Sequence, residues 1–269
     1  MLDLSRQVFS IPATLCGVLL LGFGGFLLVC LGSLSQGEVE IAGYATSLRG
    51  RTISQQHNAR LAAEALEGSI IAPGATFSFN KRVKSWSMDR GYVKAPVSFD
   101  GELVRAFGGG VCQTSTTLYN AALLAGLPIV ERHAHVFAPH YVPPGRDAAV
   151  AQFNIDLRFR NPYPWPLRIH ASATSDRLDI RLYGAEHPHD NAQVTAEVLS
   201  TLTPARLTRV VHRPTGRAGR AYVRNPGAVG YRVLSYRIFS QAGQEVRRER
   251  LADDTYQAMN RIVQVNSSD

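Results

Sequence analysis

A run of three glycines that ends at a cysteine constrains this chain more than any other feature. Gly108–Gly110 lead into Cys112, and the apolar stretch that follows stops at Gly126 and Pro128, which are typical of a helix end. The pattern predicts a helix that begins at the cysteine. Unpaired N–H groups at a helix N-terminus favour a thiolate, and glycines can direct N–H groups towards an oxyanion. The alternative is a small buried thiol behind an ordinary turn.

Two histidines and an aspartate follow the cysteine in the order that a nucleophile system needs. His133 and His135 would share one face of a strand predicted over Ile129–Phe137, and Asp147 lies beyond them. In this hypothesis a histidine takes the proton of Cys112 and the aspartate holds the histidine tautomer, with no metal and no cofactor. Two alternatives stay open: the same four side chains as metal ligands, or histidines that only hydrogen-bond a polar loop.

The middle of the chain has the signals of an α+β unit. An amphipathic helix is predicted over Gln55–Gly68, and a strand pair over Tyr92–Phe99 and Glu102–Phe107 around a hairpin-type Asp-Gly pair. Alternating apolar residues further along predict an antiparallel meander that ends near Gly184. We therefore predict an α+β fold in which an antiparallel sheet packs on a central cysteine-bearing helix.

The N-terminal segment predicts a membrane signal. Residues 7–37 form a run of 31 residues without a charge, and about 20 apolar residues span a bilayer as a helix. A transmembrane helix or export signal is therefore expected, with the rest of the chain outside the cytoplasm, and cleavage is left open. The expected organisation is a cytoplasmic flank and anchor in residues 1–40, an α+β domain in residues 41–186 and a small mostly-β module in residues 187–269.

The C-terminal module is strongly basic. Residues 206–250 hold 11 arginines and 2 glutamates, a net charge of +9, whereas the whole chain carries +8. Outside the cytoplasm, a basic surface attracts anionic lipid head groups or an acidic wall polymer, and a nucleic-acid partner is not expected. The alternative is a solvated basic face without a partner.

Several sequence blocks resemble one protein family. The blocks are Pro73–Asn80, Gly108–Gln113, Ser115–Ala122, Glu131–His135 and Tyr141–Ala148. In this order they are similar to VanW-type domains over about residues 45 to 184. The resemblance implies an exported or membrane-anchored protein, and it leaves the reaction open because the biochemical role of that family is not established.

The same blocks contain the remaining candidate residues. The oxyanion or substrate loop is assigned to Gly109, Gly110 and Gln113. The binding pair is assigned to Tyr141 and Arg146. The cysteine-headed helix is also similar to the core of transglutaminase-like cysteine enzymes, an analogy only because the spacing here is shorter. Residues 205–265 resemble the small glycine-punctuated β module found behind VanW-type domains in surface proteins, for which amino-sugar binding has been proposed.

These features favour a cell-envelope protein, periplasmic or extracellular, that performs cysteine-dependent acyl transfer or amide hydrolysis on peptidoglycan. A second hypothesis is a non-catalytic module that binds cell wall or a partner in functions of the glycopeptide-resistance type. A third hypothesis is a metal-dependent hydrolase, which would use the cysteine and histidines as ligands.

Overall fold

The computed structural model describes residues 37–99, 102–188, 191–203, 209–213 and 220–266, which belong to one compact unit, Ser35–Asp269. In this part of the chain the helices are α1 Ile53–Leu66, α2 Phe79–Val83 and α3 Val111–Leu124, with a 3-10 helix at Met88–Arg90. The strands of the first half are β1 Val39–Ser47, β2 Ile70–Ile71, β3 Thr76–Ser78, β4 Lys94–Phe99, β5 Glu102–Phe107 and β6 Ile129–Glu131. Those of the second half are β7 Arg158–Arg160, β8 Leu167–Ala173, β9 Arg177–Gly184, β10 Asn191–Leu202, β11 Arg209–Arg213, β12 Ala221–Asn225, β13 Gly230–Gln241, β14 Gln244–Tyr256 and β15 Ile262–Asn266.

Within the described ranges the strands form five sheets. The largest has the order β1-β9-β8-β2 and is antiparallel throughout. A three-stranded sheet β3-β7-β6 and the hairpin β4-β5 complete the first half. The second half contains the antiparallel sheet β10-β13-β14 and the sheet β11-β15-β12, in which β11 runs parallel to β15.

Helix α1 begins where its sequence provides a capping box. Thr52 accepts a hydrogen bond from the N–H of Gln55, and the Gln55 side chain accepts one from the N–H of Thr52, which satisfies two backbone donors at the helix start. Small residues on one face, with Leu66 at the end, are buried and pack on β8. The helix therefore buries an alanine-rich stripe that allows close approach of the sheet.

Helix α3 is buried almost along its whole length although its first half is polar. The hydroxyl of Thr114 donates to the carbonyl of Ala59 in α1 at 3.2 Å, and the hydroxyl oxygens of Thr117 and Thr46 lie 2.9 Å apart. Because buried polar groups need hydrogen-bond partners, these bonds determine how α3 lies against α1 and β1. The position of Cys112 at the start of α3 follows from that placement.

The predicted fold class is wrong. Strands account for 47% and helices for 17% of the described residues, so this part of the chain is mostly β. The expected single antiparallel sheet on a central cysteine-bearing helix does not form, because the strands divide among five sheets. Long strand pairings such as β13–β14 also add to the β content of the second half. The apolar run behind the predicted transmembrane helix, Leu15–Leu34, lies outside the described residues. Within the described ones, no helix combines the length and apolarity needed to cross a bilayer.

Candidate active site

The three glycines before α3 are sites of close packing. A Cβ on Gly108 would lie 2.5 Å from the Trp86 ring, and one on Gly109 would lie 2.6 Å from the carbonyl oxygen of Pro96. A Cβ on Gly110 would overlap the backbone of α1, and its φ of +110° is one that favours glycine. The glycines therefore let the start of α3 touch α1, the β4–β5 hairpin and the Trp86 loop at once.

Cys112 is the second residue of α3. Its Sγ donates to the carbonyl oxygen of Val150 at 3.3 Å. The N–H groups on either side, those of Val111 and Gln113, bond to glycine carbonyls at 2.9 and 3.1 Å, whereas no described residue accepts a hydrogen bond from the Cys112 N–H. An N–H without an acceptor is usual in the first turn of a helix.

His135 connects Cys112 to Asp147. The imidazole lies close enough to the thiol to lower the pKa of Cys112, and its Nδ1 lies 2.5 Å from Oδ2 of Asp147. The same Oδ2 accepts the backbone N–H of His135 at 2.8 Å. Since Nδ1 is engaged with the carboxylate, Nε2 is the ring nitrogen left for the sulfur, which is the arrangement that a cysteine–histidine–aspartate nucleophile system needs.

Asp147 is completely buried and fully hydrogen-bonded. Its Oδ1 accepts from Nη2 of Arg132 at 2.9 Å and from the Tyr256 hydroxyl at 2.5 Å. Burial raises the pKa of Asp147, but the hydrogen bond and charge of His135, together with the Arg132 charge, lower it to about 2. The carboxylate is therefore ionised at neutral pH and can stabilise a positive charge on His135.

The same contacts move the pKa values of the cysteine and the histidine in opposite directions. Burial raises the pKa of the Cys112 thiol, but the hydrogen bond and charge of His135 outweigh burial and bring it below its usual value. Burial lowers the pKa of His135, yet its hydrogen bonds to Asp147 and Cys112 raise it to about 10. Both shifts favour a thiolate–imidazolium pair at neutral pH.

A cavity of about 490 Å³ opens beside the cysteine. Trp86 and Phe107 form aromatic walls, and Val97 and Val150 contribute aliphatic surface. Apart from Cys112 itself, none of the described residues that line it has an ionisable side chain. The volume falls within the range of small-molecule sites, so an uncharged substrate group can lie next to the sulfur.

Comparison with known proteins now assigns the family. The model of a family described as VanW like protein matches residues 54–183. This range contains Cys112, His135, Asp147 and the residues that line the cavity. Over residues 54–183 the chain is VanW-like. The resemblance predicted from the sequence blocks is therefore confirmed, and the cysteine, histidine and aspartate lie in the VanW-like region.

Two curated relatives share about half their length with this VanW-like chain. The chain is 40% identical over 147 residues to "Uncharacterized protein YoaR" of Bacillus subtilis, covering 55% of the chain and 48% of the relative. It is 31% identical over 136 residues to "Vancomycin B-type resistance protein VanW" of Enterococcus faecalis, covering 49% of the chain and 50% of the relative. The chain thus spans about half the length of these relatives.

Two solved structures are similar to part of the chain. "IgA1 Protease G5 domain structure" is 24% identical, with a TM-score of 0.20, and covers 31% of this chain and 98% of that structure. "Crystal structure of HP0197-G5" is 17% identical, with a TM-score of 0.15, and covers 28% and 93%. At these scores the similarity supports no argument about function.

His133 pairs with a glutamate in the VanW-like region. The strand expected to continue through both histidines ends at Glu131, so the alternation that would align their side chains is lost. The ring of His133 is exposed, and its Nε2 lies 3.2 Å from Oε1 of Glu131. In the part of the chain that the structure describes, no three His, Cys, Asp or Glu side chains are grouped as metal ligands.

The predicted substrate-loop and binding side chains are engaged with other protein groups. The buried Gln113 amide donates to Thr46 and to the Ser47 carbonyl, and its oxygen accepts from Arg51 at 3.0 Å. Tyr141 lies beneath the guanidinium of Arg51, 4.8 Å from ring centre to Cζ. Gln113 therefore braces the start of α3 against β1.

Arg146 is likewise held by neighbours. Its Nε donates to Oδ1 of Asn120 at 2.8 Å, and its guanidinium lies 5.0 Å from the centre of the Tyr44 ring. Its backbone carbonyl accepts from the Asn120 amide at 2.8 Å. These contacts fix the loop that carries Asp147.

Sequence reasoning missed the residues that hold Asp147. Arg132 lies inside a block that resembles the family, but nothing in its spacing points to a carboxylate 15 positions away. Tyr256 lies 109 positions from Asp147, and no local pattern connects them. Trp86 stands in a segment that the sequence offers no reason to place against a glycine before α3.

Proposed function

We propose that the VanW-like domain performs cysteine-dependent acyl transfer or amide hydrolysis on peptidoglycan peptides in the cell envelope. The observation that supports it is the position of His135, which hydrogen-bonds the buried Asp147 carboxylate and lies close enough to Cys112 to lower the pKa of its thiol. A thiol in a purely structural role gains nothing from an imidazole clamped by a buried carboxylate. The same arrangement supplies a nucleophile, its base and an orienting group.

The first half of the reaction forms a thioester. The Cys112 thiolate attacks the carbonyl carbon of an amide, and the carbonyl electron pair moves onto oxygen, where the Cys112 N–H donates to it. Collapse of this intermediate breaks the C–N bond. The leaving nitrogen takes the proton of the His135 imidazolium and departs as an amine, leaving neutral His135 and an acyl group on sulfur.

The second half returns the enzyme to its starting state. Water, or the amine of a second peptide, attacks the thioester carbon while His135 takes its proton. Collapse expels the Cys112 thiolate and releases the acid or the new amide. Asp147 remains ionised throughout and stabilises the imidazolium, because its role is to orient and to balance charge.

The substrate class rests on the cavity and on one relative. The uncharged and largely apolar walls near Cys112 suit a short aliphatic side chain, such as that of an alanyl residue, next to the attacked carbonyl. One relative is, by its name, a vancomycin resistance protein, which supports a substrate in the cell envelope. The net charge of +8 supports attraction to an acidic wall polymer.

The test is product formation from purified peptidoglycan. The full chain is incubated with sacculi, and mass spectrometry follows soluble peptides and acyl adducts on Cys112. Products are expected from the parent chain and from His133→Ala, whose ring faces Glu131. Cys112→Ala and His135→Ala are expected to form none.

Two results would contradict the proposal. One is an unchanged product pattern from Cys112→Ala, which would assign the chemistry elsewhere. The other is the absence of products together with a Cys112 thiol that labels only after denaturation. That second result would favour a non-catalytic wall-binding module in which the thiol packs against Val150.

A further inference from the structure

The Asp147 carboxylate uses its two oxygens for different partners. Oδ2 accepts both the backbone N–H and the Nδ1–H of His135, at 2.8 and 2.5 Å. Oδ1 accepts from Arg132 at 2.9 Å and from the Tyr256 hydroxyl at 2.5 Å. Rotation of the carboxylate would break bonds on both sides, so the Oδ1 partners determine how Oδ2 is presented to the histidine.

Tyr256 belongs to β14, far along the chain from the VanW-like region. It has no exposed surface, and its hydroxyl accepts the backbone N–H of Gly145 at 2.8 Å while donating to Asp147. The hydroxyl therefore joins the carboxylate to the backbone two residues before it. Burial raises the pKa of Tyr256, which keeps the proton on oxygen for donation.

Asp254, two residues earlier in β14, acts on the same carboxylate through Arg132. Nη1 of Arg132 donates to Oδ2 of Asp254 at 2.6 Å, while Nη2 donates to Asp147 and Nε donates to the Asp147 carbonyl at 2.7 Å. The Arg132 side chain is 7% exposed and that of Asp254 is 11% exposed. A guanidinium held at both ends by carboxylates has little freedom to turn away.

Strand β13, which pairs with β14 in a hairpin, contacts both the loop that carries Gly145 and the helix α3. The Ser235 hydroxyl donates to the Gly145 carbonyl at 2.9 Å. A Cβ on Gly145 would lie 2.9 Å from Val233, so the loop and the strand touch directly. Arg237 donates to the carbonyls of Leu123 and Leu127, at 3.4 and 2.8 Å, at the end of the cysteine-bearing helix.

We propose that the β13–β14 hairpin is part of the reaction centre, with Tyr256 and Asp254 as positioning residues that aim the Asp147 carboxylate at His135. This inference rests on the proposed function. It assigns the reaction to the VanW-like domain and the C-terminal module together. The Cys112 thiolate then depends on a hydroxyl group from outside the matched family region.

If the contacts between the β13–β14 hairpin and the VanW-like domain have only a structural role, a different result is expected. Loss of the Tyr256 hydroxyl would then lower stability and leave the ionisation of Cys112 unchanged in the folded protein. In our proposal the freed carboxylate turns, the hydrogen bond between imidazolium and thiolate weakens, and less thiolate is present at neutral pH. The pH dependence of Cys112 alkylation separates the two.

The experiment uses the full chain with Cys16→Ser and Cys30→Ser, so that iodoacetamide reports on Cys112 alone. Tyr256→Phe removes one oxygen atom and keeps the ring. The matched control is Tyr222→Phe, whose hydroxyl accepts from Gln264 elsewhere in the module. We expect Tyr256→Phe to move the alkylation midpoint upward and to slow the reaction at pH 6.5 about 10-fold, and Tyr222→Phe to change neither.

The outcomes separate this inference from the proposed function. If the alkylation midpoint of the parent chain lies at the ordinary pKa of a thiol, both the proposed function and this inference are overturned. A low midpoint in the parent that Tyr256→Phe leaves in place, or that Tyr222→Phe raises equally, overturns only the role of the hairpin. If thermal unfolding shows that Tyr256→Phe is not folded, Asp254→Asn decides by the same profile. An upward shift is expected there, and an unchanged profile contradicts the inference.

Discussion

Replacement of His135 by alanine tests the centre of the site directly. The imidazole contributes a hydrogen bond and a positive charge that lower the pKa of Cys112, against burial, which raises it. Without the ring, burial is the main remaining influence. The thiol of His135→Ala is therefore expected to titrate above the parent thiol, and the sign of the change follows from these opposing causes.

The magnitude follows from the contact that is lost. A hydrogen bond to a charged group contributes about 1.5–3 kcal/mol, and 1.36 kcal/mol corresponds to a factor of ten in a protonation equilibrium. Loss of this contact should reduce the acid dissociation constant of the Cys112 thiol about 10- to 100-fold. Because the thiolate is the reactive form, the midpoint of the alkylation profile should rise by about one to two pH units.

The assay is iodoacetamide alkylation from pH 5 to 10, followed by intact mass, on the chain with Cys16→Ser and Cys30→Ser. His133→Ala is the matched control because its exposed ring pairs with Glu131 instead of the cysteine. An unchanged profile for His135→Ala would refute the reasoning. An equal shift in His133→Ala would show that the effect is not specific to the ring beside the sulfur.

Three further predictions concern stability. Asp147 has a pKa of about 2 against an ordinary 3.8, so its ionised form stabilises the fold by ~2.5 kcal/mol above about pH 4, and this stabilisation is lost as the pH falls towards 2. Thermal melts at several pH values should show this dependence of stability on pH, and Asp147→Asn should remove it. Gly110→Ala should destabilise the fold more than Gly74→Ala, which has a positive φ but open space, and an equal effect in urea unfolding would argue against the steric clash. Thr52→Ala should lower the unfolding free energy by ~1 kcal/mol through the lost cap, whereas Ser54→Ala should not.

Elements with local signals follow the sequence closely. The first helix, predicted over Gln55–Gly68, spans Ile53–Leu66, because a capping box determines its start. The predicted strand pair forms as a hairpin of Lys94–Phe99 and Glu102–Phe107, because its turn chemistry and alternation act over a few residues. The α+β class fails because it depends on how strands distribute among sheets, which local alternation does not specify.

The choice between the histidines shows where the sequence stops being informative. Spacing alone places His133 and His135 on one face of a continuous strand. In the structure the strand ends at Glu131, so the two rings point to different partners. The hydrogen bonds that Asp147 accepts from the backbone and the ring of His135 make the selection.

The sequence by itself determined the family, the glycine-flanked cysteine at the start of a helix and the chain order of cysteine, histidine and aspartate. Tertiary structure alone decided which histidine meets the sulfur and which groups clamp Asp147. Tyr256 reaches that carboxylate across 109 residues, and Arg132 joins it to Asp254. The physical reason is that burial and long-range hydrogen bonds depend on how sheets and loops pack, whereas sequence patterns report only the conformations that neighbouring residues impose on one another.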